Sequence, residues 1–351
     1  MAIPLAGRKE HGDFPPSPEA AASWEARCWC DARARLVPFA VDYLRCTECE
    51  TLVCMSPTVA SAAGVGDDDA DFYGAQYWTR HQADVLGHPT LRERARADLA
   101  ERCIYWLRAL LAHQRPPARL LEIGASHGGF LRLAQLAGFD ATGLELSPSV
   151  VRFARDTFGV DMRLGPLEAA DIPDRSFDVV AAFDVLEHFA DPEAALREIR
   201  RVVRPGGTVL LQTPEYSGAD AQALLAAGDP FLAHLRAPEH VFLFSKRGAA
   251  QLLERTGFAH VSFQQPIFGY DMFLVASGEP PARTSADAIA NGLLASPDGR
   301  LALALLDAFE RAEQLRTVAD ERLTVIEGLG AACDERLALI DRLDRELKQR
   351  S

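Results

Sequence analysis

Between residues 118 and 278, short apolar runs alternate with amphipathic helical spacing, and that alternation limits the possible folds more than any other feature. Runs of strand length cover 119–123, 141–146, 177–183 and 208–212, and helix spacing fills 129–137, 148–157 and 192–203. Strand then helix, repeated, predicts an α/β fold with a parallel sheet and helices on both faces. Ligands of such sheets bind beyond the carboxyl ends of the strands. The polar and glycine-rich motifs of this stretch fall at those ends.

The run Leu120-Leu121-Glu122-Ile123-Gly124-Ala125-Ser126-His127-Gly128-Gly129-Phe130 reads as a strand, a glycine turn and a helix start. Gly124 lacks a Cβ, so the backbone can turn sharply and approach a ligand closely. Gly128 and Gly129 open the next helix, where free N–H groups face outward. By itself this spacing also fits a plain βα turn. Twenty-one residues after Gly124 the next run ends at Glu145, and Ser147-Pro148 then starts a helix. An acid at the end of a second strand can accept the hydroxyls of an adenosine ribose. The competing reading is a capping or solvent-facing acid. The Gly-x-Gly-x-x-Gly spacing of dinucleotide enzymes is missing, which disfavours NAD and FAD. His127 is expected to be an exposed loop side chain.

Further motifs follow in order: Gly165-Pro166-Leu167-Glu168, Ser176-Phe177-Asp178-Val179-Val180, Phe183-Asp184-Val185-Leu186-Glu187-His188 and Arg204-Pro205-Gly206-Gly207. With the glycine loop, they make 118–278 resemble a class I S-adenosylmethionine-dependent methyltransferase. The resemblance implies a Rossmann-like, seven-stranded, mostly parallel sheet and S-adenosylmethionine as cofactor. It implies that Glu122, Gly124 and Gly128 belong to the cofactor loop, with Gly124 against the methionine part. Glu145 would bind ribose and Leu146 the adenine face. Leu167 and Glu168 would lie near the adenine edge, and Asp184 and Val185 under the methionine and sulfonium. Asp178 is expected to be structural. Methyl transfer to a hydroxyl or an acidic C–H needs a base, and histidine suits neutral pH. His188, after Glu187, and His240, after Glu239, are the candidates. The alternative for each is a buried or loop-anchoring histidine.

Five of the seven cysteines fall within 27 residues. Cys28 and Cys30, then Cys46 and Cys49, can supply four thiolates to one structural Zn²⁺; reduced, unliganded thiols are the alternative. A zinc segment, an aromatic stretch, the domain and then Glu-His-x-x-x-Phe-Ser resemble the deoxysugar C-methyltransferases. That resemblance implies a histidine base within Tyr-His-Glu-His. Here Glu239 and His240 match its last two positions, while Ala237 and Pro238 replace the first two. Tyr73 and Tyr77 match the aromatic stretch. They either line the substrate pocket or pack the cysteine segment onto the core.

Residues 319–329 recur at 333–343, a 14-residue spacing of two heptads that predicts a coiled-coil or docking helix. It points to a homo-oligomer or a protein partner. A net charge of -13 argues against nucleic acid held through phosphates and against docking on anionic lipid. An odd cysteine count, no secretion signal and no apolar run of about 18 residues predict a cytoplasmic protein without membrane insertion. The expected segments are a loose 1–25, a zinc segment 26–60, an aromatic and helical lead-in 61–117, the catalytic domain 118–278 and a helical region 282–351. The expected activity is methylation of a sugar hydroxyl or carbon, on a nucleotide-linked sugar or a glycan. An O-methyltransferase of a quinone-like or polyketide phenol is the enzymatic alternative. An inactive scaffold in glycan assembly is the non-enzymatic one.

Overall fold

The computed structural model describes residues 26–31, 33–57 and 89–350, with positions 65, 68, 71, 73–75, 77, 78 and 87 between them. The expected loose segment 1–25 lies outside the described residues. The chain divides into two compact units, Met1–Leu303 and Ala304–Ser351.

The first unit is built on a seven-stranded sheet. Its strands are β4 (Arg119–Ile123), β5 (Asp140–Glu145), β6 (Asp161–Leu164), β7 (Phe177–Phe183), β8 (Val203–Pro214), β10 (His260–Gln264) and β11 (Asp271–Ser277), in the order β10-β11-β8-β7-β4-β5-β6. The pairings β8–β7, β7–β4, β4–β5 and β5–β6 are parallel. β11 runs antiparallel to both β8 and β10. The sheet is therefore mixed, with a parallel majority. β7 is buried over nearly its whole length, as a central strand covered on both faces must be.

The helices start where the side chains allow. Ser147 caps α4 (Pro148–Phe158) through the Val150 N–H, and Gly159 ends it in the left-handed conformation. Asp191 caps α5 (Pro192–Val202) through the Ala194 N–H. That helix buries Ala195, Leu196, Ile199 and Val202, one helical stripe, and the last three join the cluster holding Val180, Leu211 and Leu274 of the sheet. Before the sheet lie α1 (Leu91–Ala97) and α2 (Arg102–His113); α3 (Gly129–Leu136) follows the glycine loop, and α6 (Ala221–Ala227) and α7 (Lys246–Arg255) follow β8.

A second sheet is antiparallel, in the order β1-β2-β3-β9. β1 (Leu36–Ala40), β2 (Tyr43–Cys46) and β3 (Leu52–Cys54) come from the cysteine segment. β9 (Phe242–Leu243) comes from the loop after β8 and pairs Leu52 with Leu243 and Val53 with Phe242.

Beyond α8 (Ala286–Leu293), one helix, α9, runs Pro297–Arg350 without a break at Gly328 or Gly330. In Ala304–Ser351, Leu315, Leu323, Ile326, Leu329, Ile340 and Leu347 are exposed. No helix among the described residues is long and apolar enough to cross a membrane.

Candidate active site

The carboxyl ends of β4, β5 and β7 bring the predicted cofactor residues together. Gly124 sits at φ +69, and a Cβ there would lie 2.5 Å from Val185 Cγ2. Glycine is required both by the turn and by the side chain beneath it. Gly128 has φ +80, but a Cβ there would meet Val160 and Ala154. Its role is helix packing as well as the turn.

Glu145 is buried and already holds three backbone donors. Its Oε1 accepts from the Leu146 and Ser147 N–H groups at 2.8 and 3.2 Å, and its Oε2 from Ser126 at 3.0 Å. Burial raises its pKa, and the three amides oppose the rise. Glu122, on the neighbouring strand, is pushed well above the usual carboxylate range by burial and then by the Glu145 charge. Glu122 Oε2 and Ser126 Oγ are buried atoms with no hydrogen-bond partner among the described residues. Orphan polar atoms at the mouth of a glycine loop are what a bound polar ligand would satisfy. Sequence reasoning missed Ser126. Leu146 is half-buried, Leu167 lies in the core, and Glu168 is exposed beside it.

His127 corrects an expectation. It is 5% exposed, its Nδ1 accepts from the Gly129 N–H at 3.0 Å, and its Nε2 donates to Asp98 at 3.2 Å. It anchors the loop to the helical lead-in.

Asp184 adopts φ +56, a left-handed conformation that asparagine and aspartate tolerate best among larger residues. Arg102 Nη1 at 3.0 Å and Gln212 Nε2 at 3.1 Å fix its two oxygens. Gln212 also donates to Asp271 at 3.1 Å. Burial, then the Asp184 charge, pushes Asp271 up to about 8. A glutamine ending an apolar strand was a readable signal of this role; Arg102, within a helix, gave none. Asp178 accepts from the Arg119 N–H and from Arg204 at 2.7 Å each, a tie between strand ends.

The second cluster lies between the end of β7 and the loop before β9. Glu187, His188 and His240 have ligand-type atoms within 4.8 Å of one another, and the two imidazoles are 5.0 Å apart between ring centres. Nδ1 of His188 is 3.0 Å from the Glu239 carbonyl, and Nδ1 of His240 is 2.8 Å from the His234 carbonyl. A carbonyl only accepts, so each Nδ1 carries the hydrogen and each Nε2 carries the lone pair. Burial depresses the pKa of both, His240 most strongly, with the nearby His188 and Arg236 adding to the effect. Buried Glu187 accepts from Thr213 at 2.9 Å. The Tyr77 hydroxyl donates to Glu239 Oε2 at 3.4 Å, and the Tyr73 hydroxyl stands 3.4 Å from His188 Nδ1. The predicted tyrosines and histidines thus share one cluster.

The four cysteines also converge. Their Sγ atoms all lie within 4.8 Å of one another, with Cys28–Cys49 at 3.4 Å and Cys30–Cys46 at 3.6 Å. Thiolates about 2.3 Å from a tetrahedral ion stand about 3.8 Å apart, so the set fits zinc. Cys54 is buried apart from it, and burial pushes its thiol up to about 12.

A family model described as "Methyltransferase domain" matches residues 93–262. A ubiquinone biosynthesis O-methyltransferase of Xanthomonas campestris is 35% identical over 127 residues, covering 34% of this chain and 52% of the relative. A probable S-adenosylmethionine-dependent methyltransferase of Mycolicibacterium smegmatis is 35% identical over 133 residues, 36% of this chain and 51% of the relative. The chain spans about half the length of these curated relatives. A solved S-adenosylmethionine-dependent methyltransferase of Thermotoga maritima, described as a possible histamine N-methyltransferase, aligns at 21% identity with a TM-score of 0.39. That alignment covers 54% of this chain and 96% of the other. The glycine loop and Glu145 both fall within the matched residues 93–262, so this part of the chain is similar to a methyltransferase domain.

Proposed function

We propose that this chain methylates a hydroxyl oxygen of a sugar, nucleotide-linked or within a glycan. The observation that carries the reading is the pair of neutral imidazoles, each with its Nε2 lone pair left by a hydrogen-bonded Nδ1–H. A sugar hydroxyl is a weaker acid than a phenol and depends more on such a base.

S-adenosylmethionine would supply an electrophilic methyl group on a sulfonium. Gly124 would admit it closely, and Glu145 and the orphan Ser126 Oγ would take its ribose and polar atoms. Arg102 and Gln212 hold Asp184 in its strained conformation toward the same place. His240 Nε2 would take the acceptor proton as the oxygen forms its new bond to carbon. Glu239 would steady the protonated form of the neighbouring His188, for which it is the largest favourable charge. Cys28, Cys30, Cys46 and Cys49 would hold a structural zinc, which leaves no open position for chemistry. None of the seven cysteines is in a disulfide, which suits a reducing compartment such as the cytoplasm.

A second reading, O-methylation of a flat phenol, is favoured by one feature. Arg102 covers the Phe268 ring at 4.8 Å, Phe268 stacks on Tyr270 at 5.3 Å, and Tyr270 lies 4.6 Å from His234. This row of rings leads from the Asp184 partner toward His240, and the Xanthomonas relative is named for ubiquinone biosynthesis. Carbon methylation has the weaker support, because Ala237 and Pro238 stand where the sugar C-methyltransferases have tyrosine and histidine.

The test incubates the full chain with methyl-labelled cofactor and a panel of nucleotide sugars, glycan fractions and phenols. Label on a sugar oxygen is the expected result; label on phenols alone overturns the sugar assignment. His240→Ala turning over within a few-fold of wild type would remove its role as base. Metal content below about 0.2 per chain, in protein purified without chelators, would refute the four-thiolate site.

A further inference from the structure

We infer that the cysteine module is a positioning device for the catalytic loop, so that its metal holds His240 in place from outside the active site. The inference rests on the reading of His240 as the acceptor base.

Three hydrogen bonds and a strand pairing tie the module to the segment that carries His240. The Tyr43 hydroxyl, on a side chain 1% exposed, donates to the His240 carbonyl at 2.9 Å. The Cys54 N–H donates to the Val241 carbonyl at 2.9 Å, and β3 then pairs with β9 over Leu52–Leu243 and Val53–Phe242. The Cys49 carbonyl accepts from Ser245 Oγ at 3.1 Å. Ser245 is also the cap of α7, through the Gly248 N–H at 3.0 Å.

The module grips the far end of that helix as well, where Arg255 Nη1 donates to the Cys30 carbonyl at 2.6 Å. So two of the four proposed zinc ligands, Cys49 and Cys30, offer their carbonyls to opposite ends of α7. The fit leaves no slack: a Cβ on Gly248 would lie 2.8 Å from Thr51 Oγ1 and 3.0 Å from the Cys49 carbonyl.

On its other side the same loop meets the domain. The Val241 N–H donates to the Glu187 carbonyl at 2.7 Å, and His188 holds the Glu239 carbonyl. His240 is thereby clamped between β3 and the end of β7. The β3 half of the clamp is weak on its own, since β1, β2 and β3 have five, four and three residues. Strands this short need help to stay ordered, and a metal on four thiolates supplies it. The family's cofactor loop lies elsewhere, at β4 and β5, and shares none of these bonds. Loss of metal should therefore free the acceptor loop and leave the cofactor end intact.

The test compares the metal-loaded full chain, the same chain stripped by a chelator, and Tyr43→Phe, which keeps the ring and removes the single hydroxyl. Amide hydrogen exchange is read at Cys54 and Val241, with β4 and β5 as internal controls. Stripping should speed exchange at both amides by about tenfold or more. Tyr43→Phe should speed it about two- to tenfold, the worth of one hydrogen bond. In both, the histidine NMR titration of His240 should move up toward the ordinary value, and the affinity for S-adenosylhomocysteine should stay within about twofold. Unchanged exchange and unchanged His240 titration in Tyr43→Phe would overturn the inference, also where stripping unfolds the chain outright. Turnover of His240→Ala tests the base separately. If that variant stays active while exchange responds as expected, the base reading falls and the clamp stands.

Discussion

Replacing Glu145 by glutamine tests the cofactor reading most directly, because the structure fixes what each oxygen is doing. A carboxylate has about four acceptor positions. Three are filled here, two on Oε1 by Leu146 and Ser147 and one on Oε2 by Ser126. One position, on Oε2, remains for a ribose hydroxyl. A glutamine must turn its carbonyl toward the two amides on the Oε1 side. Its NH₂ then faces the Ser126 N–H and the ribose, two donors head to head. The charge-assisted bond to ribose, about 1.5–3 kcal/mol, becomes a neutral or inverted one. The Ser126 amide also loses its acceptor, which costs about 1–3 kcal/mol in the folded chain. Affinity for S-adenosylhomocysteine should fall about 10- to 100-fold, and the unfolding free energy should drop by about 1–3 kcal/mol. Calorimetry of cofactor binding and denaturant titration read the two effects. Binding within threefold of wild type would refute the ribose assignment. Unchanged stability would show that the Ser126 amide bond is worth no more than its hydration.

Other perturbations follow from the same geometry. Gly124→Ala forces a Cβ at φ +69 to within 2.5 Å of Val185, so it should cost about 1–2 kcal/mol of backbone strain plus the clash; denaturation should show the loss, and cofactor binding should weaken with it. Asp271, raised from 3.8 to about 8, holds its proton more tightly folded than unfolded, so its contribution is complete below about pH 4 and is lost as pH rises toward 8. Thermal unfolding of Asp271→Asn should therefore fall less between pH 6 and 9 than that of wild type. His240 is depressed below 6.5, so protonation favours the unfolded chain, and its share of stability is present above pH 6.5 and lost as pH falls; His240→Gln should flatten the acid side of the stability curve. Ile326→Glu with Ile340→Glu, at positions 63% and 59% exposed, should leave cofactor affinity unchanged and lower the solution mass if α9 forms a seam between copies. Equal masses by light scattering would rule that seam out.

What could be read from the chain was local. The glycine loop, Glu145 and Asp184 announce themselves because a strand end, a turn and a helix cap lie within a few residues of each. The cysteines converge as their spacing predicts. Long-range partners left no such mark. His127 looked like a loop side chain because Asp98, which buries and pairs it, comes from a helix 29 residues earlier. β9 has two residues and exists through its pairing with β3, almost two hundred positions away. β6 buries one residue of its four, Met162, so no apolar run marked it. The antiparallel β11 is buried throughout and apolar from Met272 to Ala276, and its direction is set by its neighbours rather than by its own residues.

The acidic residues of the site make physical sense as a group rather than singly. Glu122, Glu187 and Asp271 are all pushed up by burial, and in each a neighbouring carboxylate adds to the rise. Such crowding opposes folding unless a positive charge offsets it. Arg102 pairs with Asp184, the neighbouring carboxylate that raises Glu187 and Asp271. A ligand carrying a sulfonium and an ammonium would bring further positive charge to the same end of the sheet. Each carboxylate would then shift toward its ionised form, and part of the binding energy would come from relieving repulsion already present. The product lacks the sulfonium charge and relieves less. The same residues that cost the empty protein stability would in that way favour the methylated cofactor over its demethylated product.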